Sequence, residues 1–195
     1  MTENSGFPNL DGKRVLVVGT GAPAVVALPE NMLRLRHYCQ AVAAQVVLTR
    51  AALRFITPTT THLVTGGDFI TDEWSDKPYQ TAPHVELAQW AEAVVVYPAT
   101  LHFVGRLALG LADSPLLLAL QCTAAPIAIA PSLPPGGMAG HAYRGHMARL
   151  AERANVVVVH PVLGRSMSTH EANVGAPARF TDLLAALDTH LAEAR

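Results

Sequence analysis

The chain has little charge and almost no cysteine. Only 15% of its 195 residues are charged, and the formal net charge is −1. Nucleic-acid binding needs a basic face, so this balance argues against such partners. The two cysteines, Cys39 and Cys122, show no metal or redox spacing, which predicts two buried thiols in a reducing compartment.

Long apolar runs are also missing. No run reaches the length of about eighteen residues that crosses a bilayer, and residues 1–11 lack the layout of a signal peptide. We therefore expect a cytoplasmic protein that does not bind membranes. Half of the residues are nevertheless hydrophobic, which is more than a soluble monomer usually carries. This excess predicts apolar surface buried between the subunits of a homo-oligomer.

Short apolar runs alternate with helical patterns along the chain. Residues 93–97 are apolar throughout, as is typical of a strand inside a parallel sheet. The alternation predicts an α/β fold, namely a doubly wound, Rossmann-like (flavodoxin-like) parallel sheet with helices on both faces. The predicted strands are 13–19, 45–49, 62–65, 93–97, 126–130 and 156–159, with residues 68–83 as a loop and 179–193 as the last helix.

The length fits one domain, and no linker divides the chain. We expect a single domain over residues 1–195, beginning with a loose arm over 1–11. In an open parallel sheet, ligands bind at the carboxyl ends of the strands. The residues that follow the predicted strands are mostly small, hydroxylated, Gly or Pro, and they suit a phosphate and a flat ring better than a metal.

The residues after the first strand, Gly19-Thr20-Gly21, leave three interpretations open. Their backbone N–H groups could hold a mononucleotide phosphate together with Thr49. The pattern also resembles a dinucleotide fingerprint, but the second strand ends in Thr49-Arg50 without an acidic residue, so NADP is the only dinucleotide that fits. A plain tight turn is the third interpretation.

Histidine is abundant, but its spacing does not indicate a metal site. None of the nine histidines forms an HxH or HExxH motif, and no serine lies in a GxSxG elbow. His84 follows Pro83 at the predicted start of a helix, where the helix dipole favours a neutral imidazole. Two interpretations remain for it: a general base, or an exposed residue at the helix end.

The segment 83–114 resembles the homo-oligomeric flavin-containing cysteine decarboxylases, which include the peptide decarboxylases of lantibiotic biosynthesis. The order and spacing of the family motifs hold over this segment, and the segments after the first two strands also correspond. The matching residues are His84, Leu87, Trp90, Ala91, Pro98, Ala99, Thr100, Gly110, Asp113 and Ser114.

The resemblance implies FMN as the cofactor, bound at a contact between subunits of a trimer or dodecamer. It also implies oxidative decarboxylation of the C-terminal cysteine of a ribosomal precursor peptide, which gives an aminoenethiol for aminovinyl-cysteine ring formation. His84 would be the catalytic residue. The cofactor-binding residues would be Gly19, Thr20, Gly21, Ala22, Thr49, Arg50, Phe55, Pro98, Ala99, Thr100, His102, Asp113 and Ser114.

The sequence departs from the family pattern at three places. His102 replaces an asparagine expected near the flavin, and Pro134 replaces the asparagine that would hold the substrate carboxylate. Nearby residues would then contact the substrate instead: Pro134, Gly136, Gly137, Met138 and His141. Thirdly, residues 164–177 lack the late cysteine with which phosphopantothenoylcysteine decarboxylases reduce the enethiol, so the enethiol would persist as product.

Residues 160–177 are expected to form a clamp over the substrate, with an ordinary surface loop as the alternative. Two other functions remain open. An FMN prenyltransferase-like enzyme would need converging arginines, for which Arg106, Arg144, Arg149 and Arg165 are the candidates. A non-catalytic FMN-binding regulatory subunit would be consistent with the missing asparagine.

Overall fold

The fold is built on a six-stranded parallel sheet. The computed structural model describes residues 7–65, 69–166, 170 and 172–193. The strands are β1 (Arg14–Gly19), β2 (Ala43–Leu48), β3 (Phe69–Thr71), β4 (Ala93–Thr100), β5 (Ile127–Ser132) and β6 (Val156–Val158). Their order across the sheet is β3-β2-β1-β4-β5-β6, and every neighbouring pair is parallel. The predicted doubly wound α/β class is confirmed.

Seven helices pack against the sheet in the described part of the chain. They are α1 (Leu28–Tyr38), α2 (Pro58–Thr65), α3 (Pro83–Trp90), α4 (Leu101–Ala108), α5 (Pro115–Cys122), α6 (His141–Ala151) and α7 (Phe180–Glu193). None of the described helices has the length and apolar character needed to span a bilayer. A separate antiparallel hairpin, β7 (Val162–Arg165) and β8 (Ala172–Ala176), lies between β6 and α7.

The core has two layers because strand side chains alternate between the faces of the sheet. In β4, Val95 and Tyr97 belong to the layer that includes residues of α1 and α7. Val94 and Val96 belong to the other layer, which includes residues of α4 and α5. Burial on both faces explains why the strand sequences are continuous apolar runs instead of alternating ones.

Residues 62–65, predicted as a strand, lie in α2 instead. The helix begins at Pro58, and the Thr57 hydroxyl accepts the Thr60 N–H at 3.1 Å, as an N-terminal cap does. The third strand is only three residues long and begins at Phe69, inside the segment predicted as a loop. A strand of that length carries too little periodicity to be recognised.

Three further predictions differ from the structure. Residues 7–11, predicted within a loose arm, pack on α1: Leu10 is fully buried, and the Phe7 ring stacks on Tyr38 with centroids 4.7 Å apart. Residues 1–6 lie outside the described residues. Cys39 is buried as predicted, whereas Cys122 is exposed because it ends α5 at the surface. The predicted clamp loop contains the β7–β8 hairpin, and residues 167–169 and 171 lie outside the described part.

Candidate functional site

The candidate site lies at the carboxyl ends of β1 and β4, where the strand order reverses direction. Connections leave these two strands toward opposite sides of the sheet, which opens a crevice between them. Two adjoining cavities occupy this edge and share Gly21, Thr100 and His102. We call them the cofactor lobe, of about 730 Å³, and the hairpin lobe, of about 560 Å³. Both volumes are in the usual range of small-molecule sites.

The two lobes differ in their walls. The cofactor lobe is lined by Thr20, Gly21, Thr49, Arg50, Ala51, Leu53, Arg54, Asp72, Glu73, Thr100, His102, Phe103 and Arg106. The hairpin lobe lies between the turn after β1, the start of α4, the loop after β5 and the hairpin. Its lining residues are Gly21, Ala22, Pro23, Ala24, Thr100, Leu101, His102, Ser132, Leu133, Pro134, Pro135, Arg165, Ser166, Gly175, Ala176 and Pro177.

Thr20 joins the two central strands at the crevice. Its hydroxyl donates to the Pro98 carbonyl at 2.7 Å and accepts the Thr100 N–H at 2.9 Å. The one proton of the hydroxyl is therefore already donated within the protein, and the side chain is buried. Thr20 thus contributes to the site mainly by holding β1 and β4 in register, and its side chain has no proton to offer a phosphate.

The two glycines after β1 are required by close packing. A Cβ atom at Gly21 would lie 2.4 Å from the Cβ of Ala51, and one at Gly19 would lie 2.7 Å from Leu48 Cδ2. These contacts bring the turn after β1 against the turn after β2. Thr49 then donates its hydroxyl to the Gly19 carbonyl at 3.4 Å. The exposed Arg50 pairs with Glu73 at 3.4 Å.

The end of β4 and the start of α4 form the wall between the lobes. Pro98 and Ala99 are buried within the strand and support the crevice from below. Thr100 caps α4, because its hydroxyl accepts the Phe103 N–H at 3.2 Å. His102 lies on the first turn of α4 and contacts both lobes. The histidine that replaces an asparagine of the family pattern is therefore placed where a ligand spanning both lobes would meet it.

Asp113 and Ser114 organise the side of the cofactor lobe. Arg106, which lines the lobe, donates to Asp113 Oδ1 at 2.6 Å and 3.1 Å. These hydrogen bonds lower the pKa of the Asp113 carboxyl below its usual value. Ser114 caps α5 by accepting the Leu117 N–H at 3.3 Å. Neither residue lines the lobe: Asp113 contacts it through Arg106, and Ser114 through its hydrogen bond to Asp72.

Asp72, a buried carboxylate directly after β3, was not among the site residues predicted from the sequence. It accepts the Ser114 hydroxyl and the Leu116 N–H, each at 2.9 Å, and it lines the cofactor lobe. Burial raises the pKa of Asp72, although the two hydrogen bonds oppose that shift. The misplaced third strand hid this residue, since its position at a strand end is the signal that would have identified it.

His84 lies outside both lobes of its own chain. It is the second residue of α3 and half-buried, with its ring edge-on to Trp74 and the centroids 6.0 Å apart. Trp74 donates its indole N–H to the Asp113 carbonyl at 3.2 Å. The His84 Nδ1 atom is buried without a hydrogen-bond partner in the described structure. These contacts do not support the interpretation of His84 as an exposed residue at the helix end.

The loop after β5 contacts the hairpin. The Leu133 N–H donates to the Gly175 carbonyl at 2.8 Å, and Pro134 lines the hairpin lobe. Other predicted residues of the cofactor and substrate sites do not line either lobe, among them Phe55, Gly136, Gly137 and His141. Met138 also lies outside the lining, and it packs beneath Gly175 of the hairpin. The β7–β8 hairpin therefore forms one side of the hairpin lobe.

The residues present fit a flavin mononucleotide. The cofactor lobe combines three arginines, which can bind a phosphate, with three threonines and with apolar walls at Leu53 and Phe103. Gly21, which lines this lobe, lets the turn after β1 pack against Ala51 of the turn after β2, where a Cβ atom would collide. Among the described residues, no three His, Cys, Asp or Glu side chains cluster in the way that a metal site requires.

The structure is similar to solved cysteine decarboxylases. It superimposes on the cypemycin decarboxylase CypD with a TM-score of 0.77 and 28% identity, covering 97% of this chain and 99% of that one. The FMN-dependent cysteine decarboxylase TvaF from thioviridamide biosynthesis gives 0.73 and 26%, covering 93% and 99%. The FMN-dependent cysteine decarboxylase SpaF gives 0.76 and 25%, covering 93% and 98%.

Curated relatives match over a shorter segment. The coenzyme A biosynthesis bifunctional protein CoaBC of Vibrio cholerae is 36% identical over 126 residues, which are 64% of this chain and 31% of that protein. The CoaBC protein of Escherichia coli K12 is 32% identical over 126 residues, covering 64% and 30%. The match thus spans about a third of the length of these relatives.

The family comparison covers nearly the whole chain. The sequence model of the Flavoprotein family matches residues 5–192. The predicted relationship to flavin-containing cysteine decarboxylases and the predicted FMN cofactor are confirmed by this match together with the structural neighbours. From its sequence match and from the site at the β1–β4 crevice, the chain belongs to the Flavoprotein family.

Proposed function

We propose that the protein is an FMN-dependent decarboxylase that acts on the C-terminal cysteine of a peptide and releases an aminoenethiol. The observation that carries this proposal is the hairpin lobe, which adjoins the cofactor lobe through Gly21, Thr100 and His102. A cofactor that fills the first lobe would be within reach of a substrate in the second. The similarity to CypD, SpaF and TvaF supports the same reaction class.

The residues of the chain would bind and orient the reactants. When bound, FMN supplies the oxidant that takes a hydride from the Cβ–S unit of the cysteine. Gly21 would hold the cofactor phosphate, with Arg50 and Arg54 as charge partners, and His102 would contact the flavin side of the site. The hairpin would cover the peptide end and exclude water.

The sequence favours a peptide over phosphopantothenoylcysteine as the substrate. Residues 164–177 contain no cysteine to reduce the enethiol, so the oxidised product would be released. The hairpin lobe also has apolar walls at Leu133, Pro134 and Pro135, which suit a peptide end. A ribosomal precursor peptide that ends in cysteine is therefore the proposed partner, and formation of an aminovinyl-cysteine ring is the proposed use of the product.

We further propose that the protein works as a homo-oligomer, a trimer or a dodecamer. His84, at the start of α3, lines neither lobe of its own chain. Its ring Nδ1 atom is nevertheless buried without a hydrogen-bond partner among the described residues. In an oligomer, His84 would reach the site of a neighbouring subunit and assist proton removal during cysteine oxidation.

The test is a reaction of the purified FMN-loaded protein with synthetic peptides that end in cysteine. Mass spectrometry should show loss of carbon dioxide and two hydrogen atoms from the peptide, and the flavin absorbance should bleach in the absence of oxygen. Phosphopantothenoylcysteine serves as the competing substrate. Turnover of that compound without turnover of any peptide would contradict the peptide assignment, and FMN binding without either reaction would favour a regulatory subunit.

His84→Asn provides a sharper test of the catalytic role. This variant should keep FMN, because His84 lies outside the cofactor lobe, and it should lose most of the turnover, by a factor of about 10²–10⁴ for loss of a general base. The measurements are the bound FMN per subunit and the rate of peptide mass loss. A variant with wild-type rates would remove His84 from the mechanism.

The structure gives the prenyltransferase alternative little support. That reaction needs arginines converging on a second phosphate. Of the four candidates, Arg106 lines the cofactor lobe and Arg165 the hairpin lobe, whereas Arg144 and Arg149 line neither. Arg144 instead donates to the Ala139 carbonyl at 2.7 Å.

A further inference from the structure

The hairpin lobe is lined by one arginine and by no acidic residue in the described part of the chain. Its charged lining residue is Arg165, and its other titratable residue is His102. The cofactor lobe differs, because its three arginines are accompanied by Asp72 and Glu73. Of the two lobes, only the hairpin lobe is lined by a basic residue without an acidic one. Such a lining favours an anionic ligand.

The loop expected to bind the substrate carboxylate does not provide donors for it. Pro134 has neither a side-chain amide nor a backbone N–H. The Gly137 N–H already donates to the Pro134 carbonyl at 2.9 Å. Gly136 and His141 do not line the lobe, and His141 is exposed at the start of α6. The carboxylate must then find its donor elsewhere in the lobe.

Arg165 is placed to be that donor. It is the last residue of β7, and the hairpin that carries it is held to the loop after β5 by the Leu133–Gly175 hydrogen bond of 2.8 Å. The hairpin register shifts between Gly164 and Arg165, an irregularity of the kind that redirects side chains beside binding sites. Within the described residues, no ion pair or hydrogen bond occupies the Arg165 guanidinium.

We propose that Arg165 binds the α-carboxylate of the C-terminal cysteine and thereby selects peptides with a free C-terminus. This inference rests on the proposed function and names the residue that replaces the missing asparagine. A guanidinium can form two parallel hydrogen bonds with a carboxylate, which no backbone N–H of this loop could match. The carboxylate keeps its charge during the hydride transfer that precedes loss of carbon dioxide, so the ion pair stabilises the substrate and the transition state of that step equally. Arg165 therefore acts on substrate binding and little on kcat.

The experiment separates carboxylate recognition from turnover. A dye-labelled peptide that ends in serine, which has no thiol to oxidise, is prepared as the free acid and as the amide. Binding of each to the FMN-loaded protein is measured by fluorescence anisotropy. The wild type should bind the acid about tenfold more tightly than the amide, as expected for one charge-assisted interaction. Arg165→Gln should bind both forms equally, at the level of the wild-type amide.

Matched variants control for general effects of charge. Arg165→Lys should restore part of the preference for the acid, because it keeps the charge without the planar pair of donors. Arg149→Gln removes an exposed arginine of α6 that lines neither lobe, and it should keep the full preference. Bound FMN per subunit is measured for every variant, which identifies any that fail to fold.

Kinetics with a cysteine-ended peptide complete the test. Arg165→Gln should raise KM about tenfold and leave kcat near the wild-type value. An Arg165→Gln protein that still prefers the acid, or a wild type that shows no preference, overturns the role of Arg165 even if cysteine peptides are turned over. Failure of the wild type to turn over any cysteine-ended peptide would instead overturn the proposed function, and this inference with it.

Discussion

At the scale of single residues, the site depends on side chains that connect strand ends. Thr20 links β1 to β4 through two hydrogen bonds, and Asp72 links the end of β3 to the start of α5. Asp72 accepts a hydroxyl and a backbone N–H that would otherwise be buried without partners. Residues that line the crevice therefore also hold its strands and helices together.

Replacement of Asp72 tests this role through stability. Asp72→Ala should lower the free energy of unfolding by about 1–3 kcal/mol, because the Ser114 hydroxyl and the Leu116 N–H lose their acceptor. Asp72→Asn keeps the shape and one acceptor, so it should be far less destabilised. Urea unfolding followed by circular dichroism at neutral pH measures the difference. Equal stability of the alanine variant and the wild type would contradict the structural role.

The same residue predicts a pH dependence. Burial raises the pKa of Asp72 in the folded state above its ordinary value of 3.8. Protonation of Asp72 therefore stabilises the fold fully at pH values below 3.8. That contribution is lost as the pH rises through the raised folded-state pKa. Asp72→Asn cannot ionise, and its stability relative to the wild type should therefore increase with pH across this window. Unfolding curves at a series of pH values test the sign, and a constant difference would contradict it.

At the scale of elements, the β7–β8 hairpin forms one wall of the hairpin lobe. Its strands β7 and β8 pair outside the main sheet, and contact with the core passes through the Leu133–Gly175 bridge. A Cβ at Gly175 would lie 3.0 Å from both Leu133 Cβ and Met138 Cγ, so the absence of a side chain permits this close docking. The position of Arg165 over the hairpin lobe depends on that contact.

A larger residue at Gly175 should displace the hairpin. Gly175→Val is expected to raise KM for the peptide several-fold through misplacement of Arg165, with FMN affinity unchanged, since Gly175 does not line the cofactor lobe. Flavin fluorescence titration and peptide kinetics measure the two effects. Val162→Thr, at an exposed position of the same hairpin, is the control and should change neither. Loss of FMN binding by the glycine variant would show that the hairpin also supports the cofactor lobe.

At the scale of the whole molecule, four large apolar side chains on the loop after β3, on α3 and after α4 are partly exposed, and we call them the apolar patch. Trp74, Val85, Leu109 and Leu111 are between 41% and 53% exposed. Trp74 contacts His84 beside Val85, and it donates to the carbonyl of Asp113, two residues after Leu111. A patch of this kind around His84 is consistent with the proposed contact between subunits.

Charge introduced into this patch should break the oligomer. Leu111→Glu is expected to shift the protein toward monomers, because a buried unpaired carboxylate at a subunit contact is costly. Size-exclusion chromatography with light scattering gives the mass, and peptide turnover should fall with it. Leu63→Glu, an exposed leucine of α2 on the opposite face of the sheet, is the matched control and should keep the wild-type mass. A monomeric wild type would refute the oligomer itself.

Local sequence patterns were enough to predict the alternation of strands and helices and the burial of β4. They also identified the residues at the carboxyl ends of β1, β2 and β4 as candidates for the site. These features follow from local periodicity and turn chemistry, which short segments carry in their own residues. The folded structure was needed to show that Asp72 directly follows a strand, that Thr20 hydrogen-bonds to Pro98 and Thr100, and that Arg165 lines the same cavity as His102. Such placements depend on strand order and loop docking between residues far apart in the chain, and no local pattern records those distances.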